Sequence, residues 1–294
     1  PRARGIRSVR FFIDDRRMNG PTWRTMRRAP WAMNGTDRHH RPLAFNLGSL
    51  PDMSHTITVA VSFTGGGVRV LSASLKVLAG AGSAVTRRIA HDDFNGRGLD
   101  TSRWLPFDGV GNSGNGLRRP SATTLDGHGN LVITASMQNG TIVSGGVQMR
   151  RAFTYGYVRF RVRTMVDPAA NTSGVVLLWP QSEQRQEGEE DIYETLGYHR
   201  RKPFWAFLHD KVLDPTVQDW RKFNADASQW QTMAMRWTPR EIRIYRDGIL
   251  AWRDVNPQVV PTTPRKVSIQ LDPPAKTPLI KPISMFVSSI SVYQ

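Results

Sequence analysis

The chain has 294 residues, a length that fits two domains or one large all-β domain. Its 39% hydrophobic content, with 9 Trp and 12 Phe, excludes wholesale disorder, and its lack of cysteine excludes disulfides and thiolate chemistry. No apolar run approaches the roughly 20 residues of a membrane helix, so we expect no membrane partner.

The net charge of +16 is distributed unevenly along the chain. Residues 1–88 hold 15 Lys and Arg against 4 Asp and Glu, a balance of +11, and residues 89–294 hold 25 against 20, a balance of +5. A field of this sign attracts polyanions such as an anionic polymer, nucleic acid or an acidic protein. The alternative is a solvated basic face that has no partner.

The first part of the chain contains short strand patterns separated by turn residues. Residues 8–13 form a strand pattern that ends at Asp14 and Asp15, residues 55–63 alternate with period two, and residues 68–77 follow a glycine-rich turn. The hairpin of residues 55–77, preceded by residues 50–54, is similar to the closing hairpin of bacterial immunoglobulin-like modules. We therefore predict a small immunoglobulin-like β-sandwich over residues 1–78.

A segment poor in packing side chains follows, and residues 79–88 are predicted to be a linker. The rest of the chain, residues 89–294, is again rich in strands and lacks a long amphipathic helix. Its clearest predicted strands are residues 130–135, 156–164, 174–178, 240–245 and 283–293. This pattern predicts one large antiparallel sandwich of the jelly-roll type.

One stretch is acidic although the protein is basic: five of the eight residues from Glu187 to Glu194 carry a carboxyl group. Strand side chains alternate between faces, so Glu189 and Asp191 point the same way. Glu194 lies five positions after Glu189 and would face the opposite side of a regular strand. A β-bulge near Ile192 would return it to the first face, so the spacing predicts a bulge.

Three carboxyl groups in one groove are suited to retaining glycoside hydrolysis. One ionised carboxylate acts as nucleophile, and one protonated carboxyl group, about 5–5.5 Å away, protonates the leaving oxygen. A third acid between them raises its neighbours' pKa values and shares a proton with the nucleophile. Taken alone, the pattern also fits a calcium site or a solvated edge.

The flanking segments match a known family in order and spacing. Residues 155–163 and 173–180 resemble the strands that glycoside hydrolase family 16 places before its catalytic strand, and residues 188–194 resemble its bulged E-x-D-x-x-E motif. The segments 92–104 and 237–248 also match, so the resemblance covers residues 90–294. It implies a concanavalin-like β-jelly-roll that cleaves β-linked polysaccharides with retention.

The resemblance also implies roles for individual residues. Glu189 would be the nucleophile, Asp191 its proton-sharing assistant and Glu194 the general acid/base. Three further positions would bind substrate: Trp179 by stacking on a sugar, His209 by a hydrogen bond to Glu194 or to a substrate hydroxyl, and Asn115 from a loop. Each has an ordinary structural alternative, namely a core tryptophan, a satisfied histidine and a turn asparagine.

Metal binding is not expected. The seven His residues are scattered without metal-ligand spacing. Many family members hold a structural calcium with an Asp on the convex side of the fold, where this chain has Ser288. We therefore expect no cofactor, and the substitution disfavours calcium.

The substrate is expected to be a β-linked polysaccharide cut internally, with β-1,3-glucan as first choice and galactan or a cell-wall polymer as alternatives. Two other readings stay open: a non-catalytic carbohydrate-binding or adhesion protein, and a structural component of a larger assembly such as a phage particle. Nucleic acid is disfavoured because no nucleic-acid motif is present. A polysaccharide substrate places the protein outside the cell or on a particle surface, although no signal peptide is recognisable.

Overall fold

The structure is a computed structural model that describes residues 5–18, 22–43, 45, 50, 54–77, 87–209 and 218–294. Residues 51–53, ahead of the predicted hairpin, and most of the predicted linker lie outside these ranges. Among the described residues, no helix is long and apolar enough to pass through a bilayer.

The described residues are organised almost entirely as strands, which we number in chain order. They are β1 (Ile6–Ile13), β2 (Arg24–Met26), β3 (Ser54–Phe63), β4 (Val68–Lys76), β5 (Arg88–Asp92), β6 (Trp104–Pro106), β7 (Gly109–Val110), β8 (Leu117–Arg118), β9 (Thr123–Leu125), β10 (Leu131–Gln138), β11 (Thr141–Met149), β12 (Gly156–Thr164), β13 (Ser173–Pro180), β14 (Glu189–Glu194), β15 (Phe204–His209), β16 (Gln218–Phe223), β17 (Gln231–Trp237), β18 (Ile242–Arg246), β19 (Ile249–Asp254), β20 (Arg265–Asp272) and β21 (Ile283–Tyr293). Short 3-10 turns occupy residues 112–114, 120–122 and 185–187.

From β5 onward, the strands form two packed antiparallel sheets. The cleft sheet has the order β6-β11-β20-β13-β14-β15-β16. In the back sheet β21 pairs with β10 and β5 along one edge and with β12 along the other, and β17, β18 and β19 continue outward. The β10–β11 hairpin joins the two sheets. This confirms the predicted concanavalin-like jelly roll.

The core between the two sheets follows from strand alternation. Along β12, Val158, Phe160 and Val162 are buried in the main hydrophobic cluster, whereas the three arginines between and after them are only partly buried. Apolar side chains of the cleft sheet meet them from the other side, among them Val176, Leu178 and Ile269. Burial of this apolar area is the main source of stability for a chain without disulfides.

The N-terminal part has a sheet of its own. Its described residues form a single four-stranded sheet, β2-β1-β3-β4, with a small core of its own around Phe11, Trp23 and Leu50. The second sheet of an immunoglobulin-like sandwich is not seen among the described residues. The immunoglobulin-like assignment and the domain bounds 1–78, 79–88 and 89–294 therefore stay predictions.

The N-terminal sheet contacts the outer face of the back sheet. Trp23 stacks under the guanidinium of Arg159 at 4.5 Å and packs edge-on against Phe45 at 5.5 Å. It also lies against Gly248 in the β18–β19 turn, where a Cβ would come within 2.3 Å of the indole. Trp23 thus links the two parts of the chain.

Replacing Trp23 by Ala is expected to destabilise this junction by about 3–5 kcal/mol, because it removes a buried indole and leaves a cavity. Thermal unfolding should show a first transition lowered by about 2–4 °C for each kcal/mol lost. Trp220→Ala, at a side chain that is 57% exposed, is the matched control and should change the transition little. Equal shifts of the melting temperature in the two variants would show that Trp23 does not stabilise this junction.

Candidate active site

A cavity of about 630 Å³ opens on the cleft sheet. Strands β11, β20, β13, β14 and β15 form its floor, and residues 107–113, 183–185 and 196–197 contribute to its walls. All three acids predicted to be catalytic line it, together with Trp179 and His209. The cavity therefore gathers most of the predicted site in one place.

The predicted bulge lies within β14. Asp191 pairs with Leu177 of β13 and Tyr193 pairs with Val176, so Ile192 has no partner of its own in the register. The same irregularity appears against β15, between Asp191 and Glu194. Because one extra residue is absorbed there, Glu194 returns to the face of its two companions, and the bulge is confirmed.

His209 holds the central acid from the neighbouring strand. Its Nε2 lies 3.0 Å from Asp191 Oδ2, and its ring stacks on Phe207 with centroids 5.9 Å apart. The sequence predicted Glu194 or a substrate hydroxyl as its partner, so the observed protein partner differs from the predicted one. The reason is register: His209 pairs with Glu189 across β14 and β15, next to Asp191 and away from Glu194.

Glu194 has a different environment from the other two acids. Ser173 Oγ donates a hydrogen bond of 3.3 Å to Glu194 Oε1. Burial, with repulsion from Asp191 and Glu189, raises the pKa of Glu194 to about 8. An acid with this pKa holds its proton at neutral pH and can donate it.

Burial also raises the pKa of Glu189 to about 8, and repulsion from Asp191 adds to the rise. The positive charge of Arg185 acts in the opposite direction on Glu189 and Asp191. Burial raises the pKa of Asp191 to about 8 as well, so the three carboxyl groups lose their protons in coupled steps.

The underside of β14 is fixed by a buried ion pair. Glu190 points away from the cavity, and its Oε2 accepts a hydrogen bond of 3.0 Å from Nε of Arg265; both side chains are fully buried. Arg265 also donates to the carbonyl oxygen of Glu187 and, at 2.9 Å, to Thr263. This network holds the start of β14 against β20.

Replacing Arg265 by Met should lower the free energy of unfolding by about 3–5 kcal/mol, because Glu190 loses its partner in a dry environment. Burial raises the pKa of Glu190 to about 7, so the loss should grow as pH rises through that value. Chemical denaturation at pH 6 and pH 8 measures it. The double variant Glu190→Gln/Arg265→Met should recover most of the loss; a double variant as unstable as the single one would refute the account.

The other predicted substrate-binding residues occupy different places. Trp179, on β13, is half-buried in the cavity wall. Asn115 is buried, and its amide donates to the carbonyl oxygen of Pro274 at 2.9 Å, so in this state it holds a loop. Asn112 and Ser113 of the same loop line the cavity instead. Sugar contacts of Trp179 and Asn115 stay predictions.

Sequence reasoning missed the pair of Arg118 and Asp272 in the cavity wall. Arg118 Nε donates to Asp272 Oδ1 at 2.9 Å, and its guanidinium stacks on Phe107 at 5.0 Å. No sequence pattern predicts a contact between residues that are 154 positions apart. The role of Arg185 was also missed, because an arginine in a polar loop gives no sign that it faces carboxylates.

The residues at the expected calcium position do not fit that ion. Arg161 Nη1 donates to Ser288 Oγ at 3.5 Å, so a guanidinium occupies the surroundings that a cation would need. Within the described ranges, no group of three or more His, Asp or Glu is arranged to hold a metal.

Comparison with known proteins identifies the family. The family model "Glycosyl hydrolases family 16" matches residues 118–276. No curated protein matches the chain significantly.

Several solved structures share the fold. A laminarinase from Flavobacterium sp. UMI-01 superimposes with a TM-score of 0.61 at 21% identity, covering 71% of this chain and 100% of that one. An endo-β-1,3-glucanase from Pyrococcus furiosus gives 0.61 at 21%, covering 71% and 94%. Rv0315, an immunostimulatory antigen and pseudo β-1,3-glucanase of Mycobacterium tuberculosis, gives 0.59 at 18%, covering 70% and 98%.

Proposed function

The chain belongs to glycosyl hydrolase family 16, and from this membership we propose that it is a retaining endo-β-glucan hydrolase whose first-choice substrate is β-1,3-glucan. Its glycoside hydrolase class follows from the family. The linkage is suggested by the laminarinase and the endo-β-1,3-glucanase that share its fold.

The first chemical step uses the outer two acids. The Glu189 carboxylate attacks the anomeric carbon while Glu194 gives its proton to the glycosidic oxygen. The carbon–oxygen bond breaks, one part of the chain leaves with a new hydroxyl end, and the other stays esterified to Glu189. Asp191, held by His209, shares a proton with Glu189 and spreads the charge that moves during the step.

The second step reverses these roles. Glu194, now a carboxylate, takes a proton from water as the water oxygen attacks the anomeric carbon, and the ester bond to Glu189 breaks. Glu194 regains its proton and Glu189 its charge. Two inversions at one carbon retain the β configuration.

One observation carries the proposal: the bulge turns Glu189, Asp191 and Glu194 into one cavity, where His209 holds the central acid. An internal cut is favoured because the cavity crosses five neighbouring strands, about 19 Å at the usual strand spacing. Such a cleft holds several sugar units of a continuous chain.

A panel of β-1,3-glucan, mixed-linkage β-glucan, β-1,4-glucan and agarose, assayed for reducing ends, tests the proposal. Glu189→Gln serves as the blank for each substrate. We expect release from β-1,3-glucan with an early fall in viscosity, as internal cuts require. If reducing ends are released only from another polymer, β-1,3-glucan is the wrong substrate. If none are released from any polymer, the proposed hydrolase activity is wrong.

A non-catalytic sugar-binding function is the second candidate, because a pseudo β-1,3-glucanase shares this fold. The two functions differ in a simple measurement. If the wild-type protein binds laminarin oligosaccharides in calorimetry without shortening them over a day, the second candidate is correct.

A further inference from the structure

A second cavity, of about 370 Å³, lies at the edge of the sandwich where β5, the turn before β6 and the end of β11 meet. It shares no lining residue with the active-site cavity. Nine residues line it: Arg88, Ile89, Ala90, His91, Ser102, Arg103, Met149, Arg150 and Arg151. Four of the nine are arginines and none is acidic. We call this the arginine cavity.

Most of this charge has no acidic partner. Arg103 lies 3.3 Å from Asp92 and 3.6 Å from Asp100, so carboxylates balance its charge. For Arg88, Arg150 and Arg151, no Asp or Glu of the described residues lies within ion-pair distance. Three exposed guanidinium groups without an ion-pair partner among the described residues therefore line one cavity.

Backbone carbonyls hold several of these arginines in place. Arg150 Nε donates to the carbonyl oxygen of Thr101 at 2.8 Å, and Arg151 Nη1 donates to that of Ile89 at 3.3 Å. Each of these two guanidinium groups donates one N–H to a backbone carbonyl, and its other N–H groups can donate to a ligand. A site whose donors are already oriented loses less entropy when it binds.

Charges of both signs surround the histidine of this cavity. His91 lies at the floor of the arginine cavity, with its Nδ1 2.9 Å from Ser291 Oγ. Burial lowers the pKa of His91, the charge of Arg88 lowers it further, and the charges of Asp93 and Asp92 act in the opposite direction. These two acids lie near the cavity but do not line it.

We propose that the arginine cavity binds a tetrahedral oxyanion, a sulfate ester or phosphodiester, carried on a polysaccharide chain. Guanidinium groups match such oxyanions by paired, charge-assisted hydrogen bonds. The choice of polysaccharide rests on the proposed function, since a sugar-cleaving cleft lies on the same domain. Nucleic acid fits less well, because no Phe, Tyr or Trp side chain lines the cavity to stack on a base.

The test measures binding of the full chain to dextran sulfate and dextran phosphate, with neutral dextran as reference. The variant Arg150→Ser/Arg151→Ser should bind the charged dextrans about tenfold more weakly. The slope of log affinity against log salt concentration should become shallower by the equivalent of about two ionic contacts. Arg88→Ser, whose side chain makes no hydrogen bond to a described residue, should weaken binding without disturbing the fold.

The matched control is Arg97→Ser/Arg240→Ser, which removes the same charge at exposed positions outside the cavity. An equal loss in this control would show binding by net charge alone and would overturn the site. Unchanged affinity in Arg88→Ser and in Arg150→Ser/Arg151→Ser would also overturn the site. Tighter binding to single-stranded DNA, or full competition by equimolar inorganic sulfate, would overturn the choice of a polysaccharide ligand. None of these polymers is a β-glucan, so failure here is separate from failure of hydrolysis.

Discussion

Replacing Glu189 by Gln is expected to lower kcat for β-glucan hydrolysis by a factor of about 10⁴ or more, because the amide cannot form the covalent intermediate. Substrate binding should be kept, since Gln has nearly the same shape and the cavity wall is unchanged. Reducing-end assays give the rate, and calorimetry with laminarin oligosaccharides gives the affinity. Glu241→Gln, the same substitution on the β17–β18 turn, should keep the wild-type rate.

Product stereochemistry separates a nucleophile from a merely structural acid. With an aryl β-glucoside and azide, Glu189→Gly should yield the α-glycosyl azide, because azide fills the place of the missing carboxylate and inverts the anomeric carbon once. A β-azide from this variant would assign Glu189 a different role. Wild-type activity in Glu189→Gln would end the proposed mechanism altogether.

The arrangement of the three acids on β14 was predictable because it depends on the spacing of residues within one strand. Strand alternation fixes the faces of Glu189 and Asp191, and the odd spacing to Glu194 requires one extra residue, which the structure places at Ile192. The strands with strong apolar alternation were also found, and β12 and β21 have the bounds that the sequence predicted.

The rest of the site depends on pairings distant in sequence. Whether His209 meets Asp191 or Glu194 is decided by the register of β15 against β14, which no residue pattern encodes. The pair of Arg118 and Asp272 joins elements 154 positions apart, and Arg185 acts through space from a 3-10 turn. Such features follow from tertiary packing, so sequence reasoning could name the acids but not their electrostatic partners.

Replacing Glu194 by Gln is expected to lower kcat/KM for glucan by about 10²–10⁴-fold, because the leaving oxygen loses its proton donor. The loss should be much smaller for an aryl glycoside with a nitrophenolate leaving group, since that group departs without a proton. Comparison of the two substrates therefore identifies the acid. Equal losses on both would point to a structural role.

The pH dependence has a definite sign. Burial raises the pKa values of Glu189 and Glu194 to about 8. Wild-type kcat/KM should therefore rise as the Glu189–Asp191 pair loses a proton and fall as Glu194 loses the proton needed for catalysis. On the aryl substrate, Glu194→Gln should lack this alkaline limb, because its amide does not titrate. If the limb persists at the same pH in the variant, another group sets it.

The same raised pKa predicts that Glu194 lowers the free energy of unfolding at alkaline pH. A carboxyl group with a folded pKa near 8, against an ordinary value of 4.5, binds its proton more tightly when folded, so stability is lost as pH rises from about 4.5 through about 8. Glu194→Gln removes that loss. We expect its melting temperature to exceed that of the wild type at pH 8 by at least about 2–4 °C, roughly 1 kcal/mol, and by less at pH 5. A variant less stable than the wild type at pH 8 would contradict the crowding of three acids in one dry cleft, which also keeps Glu194 protonated for catalysis.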